Sequence, residues 1–575
     1  MKMRHVCLLV SIAALTMATA VASVASAAGA SVTKEARRSE LVNPVDYPRM
    51  TDKEIGHIRH IARLSRNPPG DWSGFDTIYL PLQGEKMFVI AFMAYTLELA
   101  QHELTPAYHD IYKSSIENLL KKMQHPDVWY SWMFESRHGS VETIKDEPMV
   151  WMTNPGWIDP ILKDNIQLKA YIQQIAAAYQ MLYGDTRYEQ PGAFTFKWTG
   201  GMSNGQMNFR YTLTDITKNI YEEMVDSNFV GSACEPGRVF WICNAPSNAG
   251  FLIYDHLYGT HYGDAGPRMK AKWIKEGFRD PQTYMSVMFV STSLRDPSTN
   301  VEPRTPMMDI AGSEEAGWAA VYNVGWDYDY SRAQYLVHRE KELDEILTGR
   351  LFKVQGDQDA SYALAGSFDT KTPEEIAGRM AVRSFQMGFF TTYAAEMGDR
   401  ETKEKLLAYA ERNFHPRWEN GEYYYPRNDD YSIDERGNVH GVDVWAGSAL
   451  LPIARLDRGG GLRDLYTNQW GDKQYKQPYI SDVDTLAAGV SQAFYDERKD
   501  ALVITLIPGP IKTKEVSFVV RQLEPGKSYT VIKDGQTIGQ LSLKQHPAST
   551  IWQDDGTVKV LTSINAPHTF VLVGN

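Results

Sequence analysis

The chain alternates between two kinds of hydrophobic pattern. Through most of its length, aromatic-rich amphipathic stretches run to a glycine or turn, and a new helix-like stretch begins just beyond. YQMLYGDTRYE (179–189), IYDHLYGTHYGD (253–264), VYNVGWDYDYSRAQY (321–335) and YAAEMGDRETKEKLL (393–407) are the clearest copies. Their glycines, Gly184, Gly259, Gly325 and Gly398, lie 75, 66 and 73 residues apart. Glycine just after a helix is the expected left-handed cap. Weaker copies, MAYTLELAQHELTPAYHDIY and ALLPIARLDRGGGLRDLY, precede and follow. A period near seventy residues fits a helical hairpin with generous loops, and six hairpins predict an (α/α)6 barrel over 66–470, preceded by an N-terminal arm at 28–65. An irregular helical solenoid is the alternative. From residue 484 the pattern changes to short β-branched runs punctuated by Pro525-Gly526 and Asp534-Gly535, which predicts a β-sandwich-like module over 484–575. The fold class is therefore mainly α with a smaller C-terminal β domain.

The first residues follow neither pattern. Lys2, Arg4 and His5 precede an apolar run from Val6 to about Val21, and Ala25-Ser26-Ala27 supplies an A-x-A site. This predicts a signal peptide over 1–27, cut near Ala27, and an exported, periplasmic product. No later stretch is long and apolar enough for a span, so a soluble rather than membrane-embedded protein is expected.

Composition narrows the function. A formal charge of -12 and a pI near 5.7 argue against nucleic acid. The 14 Trp and 32 Tyr suit an aromatic-lined cleft or a dense helical core. His256 and His261 flank LYGT, but their spacing matches no common zinc pattern, so no metal is expected. No nucleotide-binding glycine fingerprint occurs, and Gly526-Lys527-Ser528 lacks the first glycine of a phosphate loop.

Beyond Cys7 in the leader, the only cysteines are Cys234 and Cys243, in CEPGRVFWIC. Nine residues apart, they point away from each other on one helix or one strand. They meet only if Glu235-Pro236-Gly237 turns the chain. A disulfide, two inert thiols and two reactive thiols all remain open from spacing. Phe240, Trp241 and Ile242 form an apolar wall, whereas Glu235, Arg238 and Asn244 are polar. A thiol in apolar surroundings keeps its proton and can donate it. Aromatic faces stabilise cations, so the segment suits loss of water from an alcohol through a cationic state.

CEPGRVFWICN followed by YDHLYGTHY resembles the linalool dehydratase/isomerase family. DPILKDNIQLKAYIQQIAAAYQMLYGDTRYE (159–189) and, more faintly, VIAFMAYTLELA (89–100) and YAAEMGDRE (393–401) extend the resemblance over about residues 50–460. It implies an (α/α)6 barrel, a cofactor-free reaction, homo-oligomers, and reversible water loss or hydroxyl migration on a small hydrophobic, terpene-like allylic alcohol. Carried over, Cys234 and Cys243 face each other across the substrate. One protonates the leaving hydroxyl, and the other takes a proton or transiently bonds carbon. The family's active-site histidine falls at Tyr171 and a family tyrosine at Phe88; an early aspartate and tyrosine have no counterpart in 59–72. The expected site thus comprises catalytic Cys234, Cys243 and Tyr171, with Phe88, Glu235, Phe240, Trp241 and Asn244 at the substrate. His57, His60 and Asp71 are candidate replacements for the missing acid/base groups, although surface positions are the simpler expectation for the histidines. Two other classes compete: a polysaccharide lyase or glycoside hydrolase using Asp327, Asp329 and Glu314-Glu315, and a non-catalytic binder of a hydrophobic ligand.

Overall fold

A computed structural model describes residues 42–75, 86–138, 156–199, 206–303, 316–347, 386–427, 442–511 and 515–575. The proposed leader with Cys7, and Glu314-Glu315, lie outside these. About half of the described residues are helical, with antiparallel sheets concentrated toward the C-terminal part.

Two classes of helix alternate along the helical part. Lys86–Leu99, Ile166–Tyr183 and Trp241–Tyr258 are buried over nearly their whole circumference. A helix apolar all round has to sit inside other structure. Asp110–Met123, Leu213–Asp226, Ala265–Lys275 and Arg400–Asn413 bury one face and wet the other. Local chemistry sets the ends. Thr212 and Asp215 form a capping box on Leu213–Asp226. Gly184 (φ 62°) and Gly259 (φ 65°) cap Ile166–Tyr183 and Trp241–Tyr258 in the left-handed region. Gly325 departs from this pattern. It is a close-approach site, where a Cβ would come within 2.9 Å of the Tyr466 Cβ.

Rings from the buried helices fill the space between them. Phe88 stacks on Trp445 at 4.8 Å and meets Trp318 at 5.5 Å. Trp318 stacks on Phe389 at 5.1 Å, and Phe92 meets Phe389 at 5.3 Å. The aromatic richness of the sequence is thus spent largely on packing. Among the described residues no helix is long and apolar enough to cross a membrane.

The stretch expected as an arm contains the helix Asp52–Ser65, capped by a Thr51–Glu54 box and packed against the helical body. His57 and His60 on it are buried rather than on the surface. Burial lowers both their pKa values. His60 pairs with Glu422 at 2.9 Å.

The β-rich part begins with Tyr479–Ser481, slightly before residue 484. Five strands form one sheet in the order Gln536–Leu541, Tyr529–Lys533, His568–Gly574, Ala501–Pro508, Ala488–Asp496. A four-stranded sheet faces it, with Phe518 of one against Phe570 of the other at 5.5 Å. Asp534 (φ 50°) and Gly535 (φ 79°) make the predicted two-residue hairpin turn, closing the Lys533–Gln536 pair. Residues 42–50 brace the outer strand: Met50 N–H donates to Ser491 O at 2.7 Å.

Candidate functional site

The sequence turns where Pro236 and Gly237 demand it. Arg238 N–H donates to Glu235 O at 2.8 Å, and Cys234 N–H donates to Arg238 O at 2.8 Å. Gly237 holds φ 78°, a value that suits glycine at the third turn position. The chain then runs as a strand, Arg238–Phe240, against Phe289–Ser291, and enters the helix Trp241–Tyr258. Cys243 therefore sits in the first helical turn, and the reversal brings it back toward Cys234.

A dense set of ties fixes this loop. Asn165 and Ile166, at the start of Ile166–Tyr183, donate their N–H groups to Cys234 O and Ala233 O at 3.1 Å each. Asp164 and Asn165 both adopt φ 55° to do so, a backbone conformation uncommon outside glycine. Asn244 spends its amide on the same loop. Its Oδ1 accepts from Ser232 N–H at 2.9 Å, and its Nδ2 donates to Ser232 O and Phe240 O at 3.0 and 2.8 Å. Behind them, Glu223 accepts from the Ser232 hydroxyl and pairs with the fully buried Lys169 at 2.7 Å.

The two cysteines are free thiols, not a disulfide. Both point at one atom, the Gln167 side-chain oxygen, with Cys243 Sγ at 3.3 Å and Cys234 Sγ at 3.9 Å. The Gln167 amide nitrogen donates to the Tyr171 hydroxyl at 3.0 Å, one helical turn along. Neighbouring Cys243 and burial raise the Cys234 pKa well above that of an ordinary thiol, so Cys234 keeps its proton. Burial likewise raises Tyr171 far above ten, which leaves it a hydrogen-bonding group and no base.

Cys234 opens onto a cavity of about 80 Å³ whose walls include Met87, Phe88, Trp129, Trp132 and Gln167. Glu235 and Glu135 line it too. Burial pushes the Glu235 carboxyl up to about 7, with Arg238 opposing and Glu135 reinforcing the shift. The Glu235 Oε2 has no hydrogen-bond partner in the described structure. A carboxyl poised near neutrality beside a protonated thiol can exchange protons with a bound molecule in either direction.

The expected residues divide accordingly. Cys234, Glu235 and Phe88 line the cavity. Cys243 lies behind Cys234, not across a substrate space from it, and Tyr171 reaches the thiols through Gln167. Phe240, Trp241 and Asn244 do not line it. Phe240 packs on Phe289 at 5.1 Å, Trp241 holds the Arg279 guanidinium 4.3 Å from its ring, and Asn244 is the loop clamp. Gln167, Glu135, Trp129 and Trp132 were not picked out from sequence. Only Gln167 left a signal, its four-residue spacing from Tyr171. Asp71 accepts from the Ser73 N–H in an exposed turn. Asp327 pairs with Lys270 at 2.6 Å, and Asp329 sits on the helix Tyr328–Leu347, not in a strand. That leaves the glycan chemistry without its carboxylate pair at these two positions. His256 Nε2–H donates to Trp470 O at 2.9 Å, a structural contact. Among the described residues no cluster of metal ligands occurs.

Residues 87–431 match the sequence model of the linalool dehydratase/isomerase family, and the chain belongs to that family.

Proposed function

From this membership we propose a cofactor-free lyase/isomerase that removes water from a hydrophobic allylic alcohol, adds it back, or moves the hydroxyl. Cys234 donates its proton to the hydroxyl as the C–O bond breaks, and water leaves. The faces of Phe88, Trp129 and Trp132 stabilise the allylic cation. The Glu235 carboxylate takes a proton from the adjacent carbon, giving a diene. Return of that proton from Glu235 to the Cys234 sulfur resets the site. Cys243 hydrogen-bonds the transient Cys234 thiolate, while Gln167 and Tyr171 act as positioning residues. Water re-adding at the other allylic carbon gives hydroxyl migration.

One observation carries this reading: a protonated thiol and a near-neutral carboxyl side by side on an aromatic-walled cavity. The test is diene release from allylic alcohols, followed by headspace gas chromatography under reducing conditions. A Cys234→Ala variant is expected to lose about 10²–10⁴-fold in turnover, the usual contribution of a positioned acid. Unchanged turnover would sink the assignment. The same reading takes the helices as an (α/α)6 barrel in a homo-oligomer, exported after cleavage near Ala27. N-terminal sequencing of the secreted product and its mass in solution test those parts.

A further inference from the structure

A cleft of about 770 Å³ lies where the helical part meets the β-rich part. Its walls come from the end of Ile166–Tyr183, the start of Asp110–Met123, the stretch 464–479, and the ends of the strands Ala488–Asp496 and Val516–Arg521. Ala107, one of the lining residues, ties the helical part to both sheets. Its N–H donates to Ala493 O at 3.1 Å, and its carbonyl accepts from Ile480 N–H at 2.8 Å. The cleft is thus held open by backbone bonds, and its volume falls within the range of about 300–1,000 Å³ usual for ligand sites.

Three rings on these walls are fixed in place by their other contacts. The Tyr475 hydroxyl donates to Met181 O at 2.8 Å, the Tyr495 hydroxyl donates to Asp500 at 2.8 Å, and Trp470 stacks on His102 at 5.4 Å. Each is only half-buried, which leaves part of the ring to the cleft. A ring already held in position loses little entropy when a ligand packs on it.

The polar groups between the rings fall into two sets. Most charged ones are engaged: Lys113 pairs with Asp185 at 2.8 Å, Glu497 with Lys473 at 2.6 Å, and Arg521 with Asp482 at 2.6 Å. Asp110 accepts from the Asp482 N–H and Asp496 from the Tyr47 hydroxyl at 2.8 Å. The unengaged set is largely neutral. The Trp470 indole N–H and the side-chain amides of Asn468, Gln477 and Gln522 have no hydrogen-bond partner among the described residues. A phosphate or carboxylate would meet more acids than free cations here. A wholly apolar molecule would cover the amides without pairing them, which is costly. A pyranose ring meets both demands, with C–H groups on its faces for the aromatic rings and hydroxyls around its edge for the amides.

We propose that this cleft binds a neutral oligosaccharide, at a site separate from the Cys234 cavity and independent of the reaction proposed there. A cavity that holds benzene measures about 150 Å³, or roughly 25 Å³ per heavy atom. A hexose unit of eleven heavy atoms then takes about 275 Å³, so the cleft holds two or three units.

The experiment is isothermal titration calorimetry on the intact protein with cellotriose, xylotriose, mannotriose, maltotriose and triacetylchitotriose, and with trigalacturonate and spermine as charged probes. At least one neutral trisaccharide is expected to bind with a Kd below about 1 mM. Trp470→Ala is expected to weaken that binding about tenfold by removing the stacking face, and Trp470→Phe to restore most of it. Asn468→Ala, at an exposed position, is expected to cost about threefold through one lost hydrogen bond and to keep the parent's melting temperature. Unchanged Cys234 alkylation in each variant reports an intact fold. Binding by none of the five neutral sugars would overturn the proposal. So would sugar binding that neither Trp470→Ala nor Asn468→Ala weakens, and so would tighter binding of trigalacturonate or spermine than of any neutral sugar. Diene release plays no part in these outcomes, so the thiol reading stands or falls separately.

Discussion

The two ends of the buried helices face opposite demands. Ile166–Tyr183 spans about 26 Å, with Gln167 and Leu168 at the Cys234 cavity and Leu182 and Tyr183 in a cleft of about 770 Å³ at the other end. The cleft is far the larger and is rich in aromatic and charged groups, yet several of its side chains find partners in the surrounding backbone and rings. His102 contacts Asn468 O at 3.0 Å, Tyr475 donates to Met181 O at 2.8 Å, and His109 stacks on Tyr479 at 4.0 Å. Asp110 accepts from the Asp482 N–H. At the small cavity, Glu235 Oε2 and the Trp132 indole N–H have no partner in the described structure, and two acids are pushed far from their ordinary pKa values. Volume is thus not what singles out the proposed site. On the proposed function the signal is instead the pair of displaced acids beside unpaired polar atoms at one cavity, because a buried polar group left unpaired is costly unless something binds it.

That contrast can be broken most severely at Lys169. Lys169→Met leaves the partly buried Glu223 without its cation, and losses of up to about 3 kcal/mol are expected, the low end for breaking a buried pair. Urea denaturation should register them, and alkylation of Cys234 should accelerate as the Ser232 tie loosens. Asn244→Ala removes three hydrogen bonds from the same loop; about 2–3 kcal/mol of stability should go with it, with both thiols becoming more reactive. A variant as stable as the parent would show that the clamp is idle.

A pH series sharpens the contrast further. Burial raises Glu98 to about 8 and Glu235 to about 7, against about 4.3 for an unfolded glutamate. Between those values the folded chain binds more protons than the unfolded one, so these groups make stability fall as pH rises from about 4.3 to 8. Thermal melts of Glu98→Gln should show a flatter pH dependence than the parent over that window. Turnover is expected to rise through about pH 7 as Glu235 becomes a base, and Glu235→Gln should abolish that rise. The smallest effect belongs to the cleft: Trp470→Ala should leave Cys234 alkylation and diene release unchanged.

Local chemistry made some parts readable in sequence. Pro236-Gly237 dictated the reversal that brings Cys243 back to Cys234, and Asp534-Gly535 dictated a hairpin. Gly184 and Gly259 ended helices by their freedom at positive φ. Roles depending on direction were not readable. Phe240, Trp241 and Asn244 neighbour the cysteines in sequence, but a helix beginning at Trp241 turns each side chain about 100° from the last. Trp241 then meets Arg279, and Asn244 turns back on its own loop. Gln167 and Glu135 come from 67 and 99 residues before Cys234, and nothing local announces such a meeting. His57 and His60 were misjudged as surface residues because burial depends on what packs over their helix, and Glu422 is 362 residues beyond His60.

The five-stranded sheet has an implication for timing. Its middle strand, His568–Gly574, comes after its other four strands in chain order, while its outer strand is braced by residues 42–50, far earlier in the chain. Until His568–Gly574 is made, Tyr529–Lys533 and Ala501–Pro508 each lack their shared neighbour, and each presents an unpaired edge. A chain joined across 448 residues, from Pro44 to Gln492, has to search long for its closing contacts. Its assembly is therefore expected to be slow and to depend on protection of that sheet in the interval. Deleting 568–575 should make the product aggregate even though every residue around Cys234 is kept.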